Sequence, residues 1–220
     1  MVLESYRAKV QPYIARLARP FLGWSPGNLS LLALLCAVAA GGTALLVRWT
    51  TPYLFLAVAV LIFLAGLFDV LDGEVARQTS RASIRGDFVD HVYDRYADVA
   101  ILLGFAVSTY ANPFLALLAL VSLLLVSYMG TQAQALGQGR LYAGLLSRAD
   151  RLVVLAVAAF LEFDWSLPWP WVTTASWSRF HVGGVEFTVI DVALVYFVIA
   201  GQWTAVARAL RVYRALPPAK

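Results

Sequence analysis

The sequence predicts an all-α integral membrane protein, with six transmembrane helices preceded by an amphipathic helix on the membrane surface. Three observations carry that prediction. Of 220 residues, 61% are hydrophobic and only 14% charged, and the mean hydropathy is +0.74, too apolar for a soluble domain to keep its surface wetted. The apolar residues gather in runs of about 20, the length that crosses the hydrocarbon core of a bilayer. Lys and Arg, finally, crowd into alternate connections between those runs, as translocation requires of short loops.

The first 20 residues mix Arg7, Lys9, Arg16 and Arg19 with Val10, Tyr13, Ile14 and Leu17 at helical spacing, without a continuous apolar core. That pattern predicts a helix lying on the membrane and argues against a secretory leader. Ser25-Pro26-Gly27-Asn28 is a turn-and-cap cluster, and a first span follows over Leu29–Val47. Five more are placed at Tyr53–Val75, Asp87–Tyr110, Pro113–Leu136, Ala149–Phe163 and Phe187–Tyr213. Between the last two, Asp164–Glu186 carries Trp165, Trp169, Trp171 and Trp177 with Pro168 and Pro170, which reads as an interfacial loop or half-buried hairpin. Residues 1–220 form one domain, a surface helix over 1–20 and a bundle over 29–213. The single cysteine, Cys36, sits in an apolar run and is read as a small buried hydrophobe.

With six spans, one side of the membrane receives Arg7, Lys9, Arg16 and Arg19, then Arg77, Arg81, Arg85 and Arg95, then Arg140, Arg148 and Arg151, and last Arg208, Arg211, Arg214 and Lys220. These are fifteen of the seventeen basic residues, and only Arg48 and Arg179 fall on the other side. Both termini and the second-to-third connection are therefore expected in the cytoplasm. The net charge of +4 reports this topology and calls for no nucleic-acid partner.

Seven of the thirteen acidic residues lie between Asp69 and Asp98, at the end of one predicted span and the start of the next. A carboxylate at the centre of a membrane helix costs about 2.5–3.5 kcal/mol on insertion scales, so several together need a shared partner. Asp69 and Asp72 stand i,i+3, and Asp90 and Asp94 stand i,i+4, each pair on one helix face. Two antiparallel helices thus aim four carboxylates at one point. All-oxygen ligation without soft donors selects hard divalent cations, one or two Mg²⁺ or Mn²⁺. His91 points about 100° away from Asp90 and is read as a packing or hydrogen-bonding residue. Gly73 and Gly86 leave room for close approach to the backbone, and Arg77 supplies a cation for phosphate.

In order, these residues read Asp69-x2-Asp72-Gly73-x2-Ala76-Arg77-x8-Gly86-x3-Asp90-x3-Asp94. That run resembles the signature of the CDP-alcohol phosphotransferase family at all eight of its positions, and the Asp90-His91 to Asp98 run together with Gly130-Thr131-Gln132-Ala133-Gln134 looks like archaeal members. The resemblance implies six membrane helices behind an amphipathic surface helix, a homodimer, and attack of an alcohol on the lipid-bearing phosphorus of a CDP-linked lipid, with CMP leaving. It further implies that Asp69, Asp72, Asp90 and Asp94 hold two divalent metals, that Asp94 also accepts the hydroxyl proton, and that Gly73, Ala76, Arg77 and Gly86 line the CDP site. The family's Pro-Asn turn before the first span appears here with Gly27 inserted.

Members acting on inositol phosphate carry two arginines at the end of the fourth span, where this chain has Gly130 and Gln132. Arg148 and Arg151, opening the fifth span, resemble the basic segment of members that use phosphorylated polyols. They are expected to contact the acceptor phosphate and nothing else, favouring inositol phosphate or glycerol phosphate over serine, an uncharged polyol or a second lipid. The donor is CDP-diacylglycerol or, on the archaeal wording, CDP-archaeol. Two other classes compete: a transporter, which would spread its acids through the midplane of several helices, and an aspartate-rich membrane prenyltransferase, which has two separated acidic motifs.

Overall fold

A computed structural model describes residues 7–139, 147–167 and 179–216 of the chain. They are mostly helical: α1 (Arg7–Ala18), α2 (Pro26–Leu46), α3 (Leu54–Gln78), α4 (Ile84–Val107), α5 (Pro113–Ala135), α6 (Arg148–Trp165) and α7 (Val189–Ala215). Strands β1 (Arg179–Val182) and β2 (Val185–Thr188) form an antiparallel hairpin immediately before α7.

Helix starts follow local chemistry more closely than the hydropathy pattern does. The Ser25 hydroxyl accepts the Asn28 N–H and Pro26 occupies the first turn, so α2 begins before the predicted Leu29. Ser83 accepts the Gly86 N–H and likewise starts α4 ahead of Asp87. Ser147 with Asp150, and Thr188 with Asp191, are reciprocal capping boxes at the heads of α6 and α7.

The hairpin, one of the two readings of Asp164–Glu186, adds two short strands to a mostly helical chain. Val182-Gly183-Gly184-Val185 places two glycines at φ 60° and 83°, the left-handed conformation a two-residue turn demands, between flanking Phe180 and Phe187 that stack at 6.0 Å. Phe187 is therefore a strand residue, and the last helix starts at Val189. Trp165, at the end of α6, is exposed, while Trp169, Trp171 and Trp177 of the predicted interfacial loop, together with Arg140, lie outside the described residues.

The principal contacts run round a ring, α2 on α3, α3 on α6, α6 on α7, α7 on α5, α5 on α4, and α4 back on α2, with α1 docked against α3. Small residues permit the tightest crossing. A Cβ on Gly41 would stand 2.2 Å from the Ala100 carbonyl oxygen, and one on Gly104 would stand 2.2 Å from that of Gly41, so α2 and α4 touch backbone to backbone. Away from the carboxylates, Phe55 packs on Phe105 and meets Tyr110 edge-on at 5.2 Å. Outward-facing Leu35, Phe63, Val121, Phe160 and Ile199 are all exposed, a surface suited to hydrocarbon. Among the described residues, four stretches are long and apolar enough to cross a membrane: Pro26–Trp49, Leu54–Gln78, Pro113–Ala135 and Val189–Ala215. Helices α4 and α6 carry the buried Asp98, Arg151 and Glu162 and are not among those four.

Candidate active site

The last turns of α3 and the first turns of α4 meet where α2 and α6 also arrive. Asp69 and Asp72 come from α3 and Asp90 from α4, and one carboxylate oxygen from each lies within 4.8 Å of the other two. Three like charges so close repel unless a cation joins them. The donor set is entirely oxygen, which fits Mg²⁺ or Mn²⁺. Asp72 is buried, and the Ser30 hydroxyl of α2 donates to its Oδ2 at 2.6 Å, fixing the carboxylate plane.

Asp94 stands beside this trio. Its carboxylate and that of Asp69 both pair with Arg148, from the first turn of α6. One turn further along α6, Arg151 is buried against Asp98 at 2.8 Å, and Arg95 lies 3.7 Å from both Asp94 and Asp98. Arg148 and Arg151 were expected to contact an acceptor phosphate alone, and the structure corrects this. A buried guanidinium and a buried carboxylate are each costly alone, so the stripe Asp90, Asp94, Asp98 on α4 draws the α6 arginines onto itself. The Nε–H groups of Arg95, Arg148 and Arg151 are buried without an acceptor among the described residues, so each keeps a donor in reserve.

The remaining predicted residues lie around this core. At Gly73 an added Cβ would come into ordinary contact with Arg77 Nη1 at 3.7 Å, its nearest neighbour. Arg77 is half-exposed and salt-bridged to Glu74. Ala76 accepts the Arg81 N–H through its carbonyl, and Gly86 forms the first turn of α4 under the Ser83 cap. His91 is exposed and its Nδ1 lies 2.8 Å from the Asp87 carbonyl, a hydrogen-bonding role without packing. Sequence reasoning missed Ser30, the Arg151–Asp98 pair and Glu74. Asp98 had a signal, since it continues the i,i+4 stripe of Asp90 and Asp94, whereas Ser30 had none.

Four helices thus bring carboxylates, a hydroxyl and arginines to one end of a membrane bundle, the makings of a metal-assisted phosphoryl-group transferase. The CDP-alcohol phosphatidyltransferase family matches residues 24–177, and the chain belongs to that family. Membership decides between the three classes left open by the sequence, in favour of an integral membrane transferase of phospholipid biosynthesis. The archaetidylinositol phosphate synthase of Pyrococcus horikoshii is 29% identical over 163 residues, covering 73% of this chain and 84% of the relative. The phosphatidylinositol phosphate synthase of Streptomyces avermitilis is 30% identical over 210 residues, covering 92% and 77%. Among solved structures, the phosphatidylinositol phosphate synthase of Mycobacterium tuberculosis shares the fold. With CDP-DAG bound, it aligns with TM-score 0.68 at 24% identity over 94% of this chain and 98% of its own. In complex with manganese and citrate, it gives TM-score 0.70 at 23% identity over 94% and 93%.

Proposed function

We propose that this enzyme transfers the lipid-phosphate group of CDP-archaeol or CDP-diacylglycerol to a phosphorylated polyol, inositol phosphate before glycerol phosphate, with release of CMP. The observation that carries the choice of acceptor is the trio of arginines, Arg151 buried and Arg95 and Arg148 partly so, set directly against the carboxylate cluster with buried, unused Nε–H donors. A phosphate on the acceptor satisfies such donors, which serine or an uncharged polyol would leave idle. The relatives named as archaetidylinositol phosphate synthase and phosphatidylinositol phosphate synthase support the same choice.

In this reading Asp69, Asp72 and Asp90, with help from Asp94, hold two ions of Mg²⁺ or Mn²⁺. Bound there, the ions offset the charge that develops on the departing CMP. Gly73, Ala76, Arg77 and Gly86 line the CDP site, where bare backbone at Gly73 lets the diphosphate approach closely. Asp94 takes the proton of the acceptor hydroxyl as its oxygen bonds to the lipid-bearing phosphorus and the phosphorus–oxygen bond to CMP breaks. Arg148 and Arg151 orient the acceptor phosphate while remaining anchored to Asp94 and Asp98.

The topology belongs to the same proposal. All six helices of the ring cross the membrane: the 24 residues of α4 at about 1.5 Å each exceed a ~30 Å core, and the 18 of α6 are within the range of the shortest spans. Residues 1–220 act as a single domain, dimerise with a second copy, and keep both termini and the active site on the cytoplasmic side, where the Lys and Arg gather. Helix α1 lies on the surface with Val10, Tyr13 and Leu17, all exposed and at i, i+3, i+7, turned to the lipid. The test is CMP release by the reconstituted enzyme with each CDP-lipid, Mg²⁺ and a panel of labelled acceptors. Turnover with inositol phosphate is expected; turnover with serine or free inositol alone would overturn the choice of acceptor.

A further inference from the structure

Glu74 stands one residue past the motif glycine, and nothing in the metal site uses it. It is only 4% exposed, yet it is a carboxylate on a helix that faces lipid elsewhere. Four side-chain donor bonds converge on it. Its Oε2 accepts from Gln11 Nε2 of α1 at 2.6 Å and from Arg77 Nε and Nη2 at 3.2 and 2.7 Å, while its Oε1 accepts from Gln78 Nε2 at 2.8 Å. Gln78 also reaches the Ala15 carbonyl of α1 at 3.3 Å.

Two consequences follow from this geometry. With Nε and Nη2 committed to Glu74, the guanidinium of Arg77 is held in one plane, and the edge left over, Nη1, lies beside the bare backbone of Gly73. A half-exposed arginine on a helix end would otherwise sample many rotamers, and ordering it on binding costs side-chain entropy. The oxygen that fixes Arg77 also fixes Gln11, so the seat of α1 and the aim of Arg77 share one atom.

We propose that Glu74 is a positioning residue for donor binding: it holds Arg77 across Gly73 toward the CDP-lipid and ties that arginine to the surface helix α1. The proposal rests on the placement of Arg77 in the CDP site made above. A purely structural Glu74, stapling α1 to α3, would touch the same residues, and a double-mutant cycle separates the two roles.

The measurement is the CDP-lipid KM and kcat at saturating acceptor, in lipid nanodiscs, for R77A, E74A, E74Q, Q11A and the doubles of E74A, E74Q and Q11A with R77A. R77A should raise the donor KM about tenfold, the loss of one charge-assisted phosphate contact. E74A should raise it about fivefold with kcat within twofold, E74Q less because an amide oxygen still accepts one arginine N–H, and Q11A about twofold. In the R77A background all three should add less than about 1.5-fold, because their effect passes through the missing guanidinium. If E74A fails to fold, E74Q carries the same comparison. Effects that multiply in full on top of R77A, or a fall in kcat at constant donor KM, would overturn the positioning role while leaving Arg77 in the CDP site. A donor KM unmoved by R77A would remove Arg77 from that site, and the inference with it.

Discussion

Helix α4 is two helices in character. Its first half carries Asp90, Asp94, Arg95 and Asp98 into a charged junction with α3 and α6, whereas its second half carries Ile101, Leu102, Gly104 and Phe105 into a dry contact with α2 and α3. The charged half is held by opposite charges that must each be matched. The apolar half is held by shape, through glycines that let two backbones touch. Substitution in the first half should therefore be read mainly in catalysis, and in the second half mainly in stability.

The largest expected effect falls on the carboxylate trio. Asp72→Asn or Asp90→Asn should lower turnover by at least about 10³-fold, since an amide supplies neither the charge nor the affinity that a divalent ligand needs. Chelation by excess EDTA should abolish activity of the native enzyme, and added Mg²⁺ or Mn²⁺ should restore it. Full turnover in chelator would remove the metal from the site.

Next comes Asp94, which is joined to the trio through Arg148 and not through its own carboxylate. Asp94→Asn should keep the CDP-lipid Kd within a few-fold while single-turnover kcat falls by about 10²–10⁴, the contribution of a positioned base. Asp69→Asn, in contrast, should weaken donor binding and chemistry together. Calorimetry and quench-flow on both variants check this, and matching profiles would erase the division between base and ligand.

Arg151 and Arg148 sharpen the comparison from within the charged half. Arg151→Ala leaves the buried Asp98 with only the more distant Arg95 at 3.7 Å, a loss of up to about 3–5 kcal/mol, so its first signature should be a lower thermal midpoint. Replacing both, as Arg151→Met with Asp98→Leu, should recover most of that stability and still show a raised acceptor KM. Arg148→Ala should raise the acceptor KM and shift the Mg²⁺ activation curve together, because this guanidinium pairs with two of the carboxylates. An acceptor KM unchanged in both single variants would discard the phosphorylated acceptor.

The charged half was largely legible in the sequence, and the apolar half was not. Carboxylates at i,i+3 and i,i+4 declare a shared face whatever surrounds them, so Asp69, Asp72, Asp90 and Asp94 could be grouped from spacing alone. Their partners could not. Ser30 lies 42 residues from Asp72, and Arg148 lies 79 from Asp69, separations that only the ring packing closes. The hairpin was partly legible, as one of two readings of Asp164–Glu186, but its place was not, since the turn signal Gly183-Gly184 between Val and Phe pairs was obscured by the tryptophans nearby. Gly41 gave no sign that set it apart from its neighbour Gly42, because an apolar helix offers no alternation to mark which face meets a partner.

That neighbouring pair gives the smallest and cleanest test of the apolar half. At Gly41 a methyl group would stand 2.2 Å from the Ala100 carbonyl oxygen and 2.7 Å from its carbon, and backbone on both helices would have to give way. At Gly42, one residue on, nothing lies within 4 Å. Gly41→Ala should therefore cost about 1–3 kcal/mol of overpacking, as should Gly104→Ala across the contact, whereas Gly42→Ala should be neutral or stabilise by about 0.5–1 kcal/mol through helix propensity. Below the melting range, kcat and both KM values of Gly41→Ala should remain within about twofold of the native enzyme, since a loss confined to shape leaves the charged junction intact. Thermal unfolding in nanodiscs, with activity measured on the same samples, decides the point. Equal stability of the Gly41 and Gly42 variants would show that the crossing opens without cost, and a collapse of kcat in Gly41→Ala would show that the two halves of α4 are not independent, because Ser30 on α2 then moves with the crossing and releases Asp72.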